Sequence, residues 1–191
     1  FVTFIANILN YIHLFFSSFS LLVYQTNGCT GDYEMSISVG INGFGRIGRS
    51  TFSHIAESAR NDIHVTKINA TGPIETNAHL LKYDSVHGRF SGEITVENDH
   101  LDMGNGPVKV FSSYDPNDLD WSGCDVVLEC TGKFNDGIKS KVHIQQGAKS
   151  VLISAPADNV DKTIVYGVNH RSLTNKDKIV SNGSCTTNCL A

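Results

Sequence analysis

Two cysteines four residues apart, Cys185 and Cys189, stand in the run Ser184-Cys185-Thr186-Thr187-Asn188-Cys189-Leu190-Ala191, directly after Gly183. The spacing predicts both thiols on one face of a short helix, with Cys185 in its first turn and Ser184 as its N-cap. The start of a helix offers unsatisfied N–H groups and the positive end of the dipole. Both favour a thiolate, and the thiolate is the nucleophile. Cys185 is therefore the candidate nucleophile, and Cys189, one turn on, reads as a structural thiol behind it. The five cysteines (Cys29, Cys124, Cys130, Cys185 and Cys189) are odd in number and irregularly spaced. That is a poor disulfide framework and points to a reducing, cytoplasmic setting. No Cys-x-x-Cys or His-x-x-x-His pattern supplies further soft ligands, so no metal site is expected.

The second constellation is Gly43-x-Gly45-x-x-Gly48, in the run Asn42-Gly43-Phe44-Gly45-Arg46-Ile47-Gly48. It falls between an expected strand and an expected helix, the context in which this pattern binds a dinucleotide. The first glycine permits the tight turn, the second lets backbone approach a pyrophosphate, and the third lets helix and strand pack closely. The helix N-terminus then faces the phosphates. An acidic residue usually follows at the end of the second strand, where it holds the ribose 2′-hydroxyl of NAD. That strand ends Ile68-Asn69-Ala70-Thr71 here, and Ala70 stands at the expected position of the carboxylate. Its absence removes a hydrogen bond to NAD and the repulsion that would reject a 2′-phosphate, which Thr71 could help to bind. Relaxed specificity, or a tilt toward NADP, follows.

The elements that must position these residues alternate along the chain. Strands are expected over residues 36–41, 64–69, 125–130, 150–154 and 178–181. The strands at 125–130 and 150–154 are continuous apolar runs of the kind buried on both faces of a parallel sheet. Ile47, Phe52, Ile55, Ala56 and Ala59 recur at helical spacing and predict an amphipathic helix to about Arg60. Further helices are expected over 75–83 and 139–147, and a smaller meander around 93–96 and 108–111. The class is α/β, a doubly wound parallel sheet. Of the 191 residues, 40% are hydrophobic and 18% charged, enough for a sizeable core, and the net charge of −4 offers no footprint for nucleic acid.

Residues 1–34 differ from the rest. Residues 1–24 are apolar and aromatic, and no Lys or Arg precedes Arg46. A signal or anchor would show basic flanks, and a spanning helix would tolerate Asn7, Asn10 and His13 poorly. The segment is read as an extension outside the fold, either an artefact upstream of a start at Met35 or a targeting segment. The dinucleotide-binding domain is placed at 35–184, with 185–191 as the start of a second, catalytic domain cut short.

With both motifs placed, the chain resembles the phosphorylating glyceraldehyde-3-phosphate dehydrogenases. The resemblance lies in residues 39–49 (VGINGFGRIGR), 82–90 (KYDSVHGRF), 153–156 (ISAP), 166–170 (YGVNH) and 184–191, in family order. It implies a Rossmann-type sheet with a small antiparallel meander insertion. It further implies NAD or NADP as cofactor, glyceraldehyde 3-phosphate and inorganic phosphate as substrates, and a homotetramer at full length. Cys185 would form a hemithioacetal and then a thioester, which phosphate cleaves. Asn42, Gly43, Phe44, Gly45, Arg46, Ile47 and Gly48 would hold the cofactor, with Arg46 and Ile47 at the pyrophosphate. Thr131 and Ser154 would line its nicotinamide side, and Ser184 and Thr186 would touch substrate or phosphate.

Two departures from the family leave the cofactor choice open: Ala70, and Tyr114 where an arginine often stands. The resemblance also implies an activating histidine that no histidine here matches. His79, His87, His143 and His170 read as surface or packing residues. Asp84 with His87 reads as a turn, Cys124 and Cys130 as strand core, and Trp121 as an isolated packing residue. Erythrose-4-phosphate dehydrogenase, a nucleotide-binding module without turnover, and a Cys185–Cys189 redox sensor are the rival readings.

Overall fold

The computed structural model describes residues 36–58 and 61–191. The readings made for residues 1–34, for Met35 and for the helix end at Ala59 and Arg60 lie outside the described residues. In chain order the elements are β1 (Ile37–Asn42), α1 (Arg46–Glu57), β2 (Ile63–Asn69), α2 (Ile74–Lys82), β3 (Tyr83–Asp84) and β4 (Gly88–Arg89). β5 (Thr95–Glu97), β6 (His100–Asp102), β7 (Val108–Phe111), β8 (Val126–Glu129), α3 (Gly137–Gln145) and β9 (Ser150–Ile153) follow. The chain then adds β10 (Lys162–Thr163), β11 (Ile179–Ser181) and α4 (Cys185–Leu190).

The main sheet runs β10-β11-β9-β8-β1-β2-β7-β6-β5. All pairs from β10 to β7 are parallel, while β5, β6 and β7 form the antiparallel meander at one edge. β3 and β4 make a separate antiparallel hairpin. This is the doubly wound α/β class, and the chain reverses direction across the sheet between β1 and β8. Ligands bind at such a switch point, outside the carboxyl ends of the strands.

Alternation along the strands builds a core on each face. Val126 and Leu128 of β8 join Ile37, Val39 and Ile41 of β1 and Phe52 and Ile55 of α1 in the larger cluster. Val127, between them, joins Leu119, Trp121, Cys124 and Ala148 on the opposite face. Each fully buried aliphatic side chain contributes about 1.5–3 kcal/mol by leaving water. Gly40 faces the second cluster because a Cβ there would lie 2.7 Å from the Trp121 ring. Asp136 precedes α3 as its N-cap, its carboxylate accepting the N–H groups of Ile138 and Lys139.

Candidate functional site

Register lines up one row of residues at the carboxyl edge of the sheet. Ser181 pairs with Ile153, Ile153 with Glu129, Glu129 with Asn42, Asn42 with Asn69, and Asn69 with Phe111. The segments that leave this row carry the residues singled out from the sequence: the glycine loop after β1, Cys130 and Thr131 after β8, Ser154 after β9, and the cysteine turn after β11. Ala70 and Thr71 follow β2 on the same edge.

The three glycines occupy three different environments. Gly43 has φ +95°, and a Cβ on it would lie 2.7 Å from the Thr131 N and Cγ2 atoms, so the loop packs directly on the exit of β8. A Cβ on Gly48 would lie 2.2 Å from the Gly43 carbonyl oxygen, which makes this the close helix–strand contact. Gly45, the residue before α1, is exposed, has φ −76°, and would meet nothing within 4 Å. Neither strain nor packing requires glycine at that position. The free approach to its backbone suits an incoming ligand. No side chain caps α1 and its first turn holds no acidic residue, so its N-terminus can receive an anion. The loop therefore fits the pyrophosphate of a dinucleotide.

The remaining loop residues divide by role. Phe44 turns its ring inward against Phe52, with centroids 5.9 Å apart, and its carbonyl accepts from Arg49 at 2.8 Å. Arg46 is exposed and Ile47 packs partly against the core. Asn42 is buried and its side-chain amide is spent within the protein. It donates to Glu129 Oε2 at 2.6 Å and accepts from Asn69 Nδ2 at 2.8 Å. Asn69 Oδ1 in turn accepts the Ser113 N–H at 3.0 Å. From Glu129 the chain of bonds continues to His143 Nε2 at 2.9 Å, and the Trp121 indole N–H reaches His143 Nδ1 at 3.2 Å. Thr131 gives both its N–H (2.8 Å) and its hydroxyl (2.5 Å) to Glu129 Oε1. Ser154 donates its N–H and hydroxyl to the Glu129 carbonyl at 3.0 and 2.9 Å.

This buried polar row ties Thr131 and Asn42, at the start of the glycine loop, to the carboxylate of Glu129 and Ser154 to its backbone carbonyl, and sequence reasoning missed it. Glu129 was read only as part of the apolar strand at 125–130, His143 as a packing or surface residue, and Trp121 as isolated. Trp121 is instead a hydrogen-bond donor at the end of the row.

A cleft of about 320 Å³ opens above the row. It is lined by residues 42–45, 69–72, 113–114 and 130–131, among others, and Lys133 is the charged side chain in its wall. The Lys133 ammonium lies 5.6 Å from the centroid of the exposed Tyr114 ring. Ala70 is buried at the cleft with its N–H bonded to the Phe111 carbonyl at 2.9 Å. Cys130 is half-buried and borders the cleft just beyond β8, rather than lying within the strand. Burial pushes its thiol up to about 12, so it stays protonated and inert.

On the same edge, α4 begins at Cys185. The Ser184 hydroxyl accepts the Thr187 N–H at 2.9 Å and lies 2.8 Å from the Thr186 hydroxyl, which is the expected N-cap. Asn188, the buried residue of α4, donates to the carbonyls of Asn182 and Ser184 at 2.8 and 2.9 Å, while Cys185 and Cys189 are exposed. The turn is tied to the Ser154 segment, since the Ser181 hydroxyl donates to the Ala155 carbonyl at 2.7 Å. Asp84 accepts the N–H groups of Val86 and His87, each at 2.8 Å, and these bonds hold its carboxyl below the usual range. These bonds make the expected turn. His170 stacks on Tyr166 with centroids 4.8 Å apart, and His79 packs on Tyr83 at 4.9 Å. Among the described residues no cluster of His, Cys, Asp and Glu could hold a metal ion, and no helix is long and apolar enough to cross a membrane.

A parallel sheet with a glycine loop at its switch point and an anion-ready helix start is the architecture of an NAD(P)-binding domain. Comparison with known proteins agrees: the family model for the NAD-binding domain of glyceraldehyde 3-phosphate dehydrogenase matches residues 37–137. The chain is 56% identical over 157 residues to the glyceraldehyde-3-phosphate dehydrogenase of Cereibacter sphaeroides, covering 82% of this chain and 47% of that protein. It is 57% identical over 159 residues to that of Xanthobacter flavus, covering 82% and 48%. To that of Pseudomonas aeruginosa it is 47% identical over 160 residues, again covering 82% and 48%. The chain belongs to the glyceraldehyde-3-phosphate dehydrogenase family, and it spans about half the length of the curated relatives it matches.

Proposed function

We propose that this chain is the cofactor-binding part of an enzyme that oxidises glyceraldehyde 3-phosphate to an acyl phosphate, with Cys185 as the nucleophile. The observation that carries the reading is the shared carboxyl edge. The glycine loop after β1 and the thiol-bearing turn after β11 leave one register row of one parallel sheet. A bound nicotinamide dinucleotide supplies the hydride acceptor. Gly43, Gly45 and Gly48 with the first turn of α1, including Arg46 and Ile47, seat its pyrophosphate. Asn42 and Phe44 shape the loop from below, and Thr131 and Ser154 border the nicotinamide side.

Cys185 Sγ attacks the aldehyde carbon to form a hemithioacetal. Loss of hydride from that carbon and of the proton from its hydroxyl leaves a thioester on Sγ. An oxygen of inorganic phosphate then attacks the acyl carbon, expelling the Cys185 thiolate and releasing 1,3-bisphosphoglycerate. Ser184 and Thr186 present hydroxyls to the substrate or phosphate beside the thiol. Residues 35–184 form the dinucleotide domain and 185–191 begin the catalytic part of a cytoplasmic homotetramer. The chain by itself binds cofactor without turning over, because the activating histidine implied by the family matches none of its histidines.

For the cofactor, Ala70 in place of a carboxylate and the Lys133 ammonium over Tyr114 favour acceptance of NADP beside NAD. Assays of a full-length protein carrying this sequence, with glyceraldehyde 3-phosphate and erythrose 4-phosphate and with and without phosphate, test the activity. Phosphate-independent oxidation, or preference for the erythrose substrate, overturns it. Cofactor titrations of wild type and Ala70→Asp test specificity, and an unchanged NADP/NAD preference refutes the role of Ala70.

A further inference from the structure

Glu129 is 1% exposed, and His143 and Trp121 are 0% exposed. The chemistry proposed above uses none of the three. Two donors that cannot reverse fix the direction of every bond in their row. At one end the Ser113 backbone N–H donates to Asn69 Oδ1. Asn69 Nδ2 must then donate to Asn42 Oδ1, and Asn42 Nδ2 to Glu129 Oε2. At the other end the Trp121 indole N–H, a donor only, fills His143 Nδ1. The imidazole is therefore neutral, with its proton on Nε2, and that proton goes to Glu129 Oε2.

Thr131 adds its N–H and, on the same oxygen, its hydroxyl. Glu129 thus receives four donors on two oxygens, the full acceptor capacity of an ionised carboxylate. In the ionised form every one of these donors has an acceptor; a proton on Oε1 would have to go to the Thr131 hydroxyl and would leave that hydroxyl's own proton without a partner in the row. All its partners are neutral. The row carries one net negative charge, buried at the carboxyl end of β8 beneath Thr131 and the cleft.

An oxidised nicotinamide ring is a cation, and the reduced ring is neutral. We propose that the Glu129 carboxylate makes this cleft prefer the oxidised dinucleotide over the reduced one. The rest of the cofactor is common to both forms, so its interactions cancel in the ratio of their affinities. A single charge acting across a partly buried site is worth about fivefold in that ratio. The inference rests on the dinucleotide reading, with the nicotinamide on the Thr131 side.

The test is calorimetric titration of the full chain with NAD+ and with NADH, in wild type and Glu129→Gln. Wild type is expected to bind NAD+ about fivefold more tightly than NADH. Glu129→Gln should weaken NAD+ selectively and bring the ratio toward one. A Glu129→Gln protein that loses both affinities by the same factor overturns the proposal and leaves Glu129 a structural group.

Should that variant fail to fold, salt decides on wild type alone. Preference from a buried charge persists between about 0.05 and about 0.5 M salt, whereas preference from surface charge is screened away. Loss of the preference in salt, or wild type binding NADH as tightly as NAD+, overturns the proposal. If neither form binds, the dinucleotide reading itself falls.

Discussion

Asn42 and Asn182 are both asparagines at the carboxyl edge of the same sheet, and both are buried, at 2% and 0% exposure. Their surroundings are opposite. Asn42 is held on both amide atoms by Asn69 and Glu129 in a row that satisfies its own donors and acceptors. Asn182, between β11 and the cysteine turn, has Oδ1 and Nδ2 buried with no partner among the described residues. Beyond it α4 is mostly exposed, with Leu190 89% exposed. The cofactor side of the edge is thus pre-organised by internal polar bonds. The cysteine side is held by one cap, one asparagine, the Ser181 hydroxyl and a few backbone contacts. Hydrogen-bond completion, and not burial alone, separates the two sides of this edge.

The sharpest way to break the contrast is Glu129→Leu. It leaves donors from Asn42, His143 and Thr131 buried without an acceptor, and stability should fall by about 3–5 kcal/mol. Urea unfolding measures this, and a loss under about 1 kcal/mol would mean the row is not a structural unit. The next step uses the two asparagines with one substitution. Asn42→Leu should cost about 2–3 kcal/mol, because Asn69 and Glu129 lose partners. Asn182→Leu, which removes an unpaired amide at similar volume, should be neutral or stabilise by about 1 kcal/mol. Equal losses at the two positions would erase the distinction.

The glycine loop sharpens the comparison within the cofactor side. Gly48→Ala drives a methyl into the Gly43 carbonyl, 2.2 Å away, and should cost about 2–3 kcal/mol. Gly45→Ala meets no protein atom and should change stability by less than about 1 kcal/mol. It should nevertheless weaken dinucleotide binding roughly tenfold, equivalent to about 1.4 kcal/mol. Calorimetry on a Gly45→Ala protein that binds as wild type does would remove the pyrophosphate from this loop.

Much of this arrangement was legible in the sequence, for local reasons. The glycine loop announces itself because three glycines at fixed offsets sit between a β-branched run and an amphipathic helix. The cysteine turn does so because Gly183 and Ser184 are stop and start signals. The strands β3, β4, β6 and β10 have two or three residues each, too few for a period to show. The buried row was illegible for a different reason: Asn42, Asn69, Glu129 and His143 come from four elements, and only sheet register and the packing of α3 on the sheet bring them together. One signal was available, a charged residue closing the apolar run Val126-Val127-Leu128-Glu129. A carboxylate there must be either exposed or fully bonded. Lys133 escaped notice because the cleft it borders is built from four loops.

The smallest expected effect lies at the cysteine turn. Ser184→Ala removes the acceptor of the Thr187 N–H, a loss of about 1 kcal/mol for a helix cap. Because α4 is six residues long and buries only Asn188, it should open without the sheet following. The cost then falls on local opening rather than on global unfolding. Amide exchange at Thr187 should accelerate about fivefold, while the urea midpoint and dinucleotide affinity stay at wild-type values. Exchange that accelerates equally in β8 and β1 would show that the cysteine turn and the polar row unfold as one unit. The contrast between the two sides of the edge would then be one of geometry and not of stability.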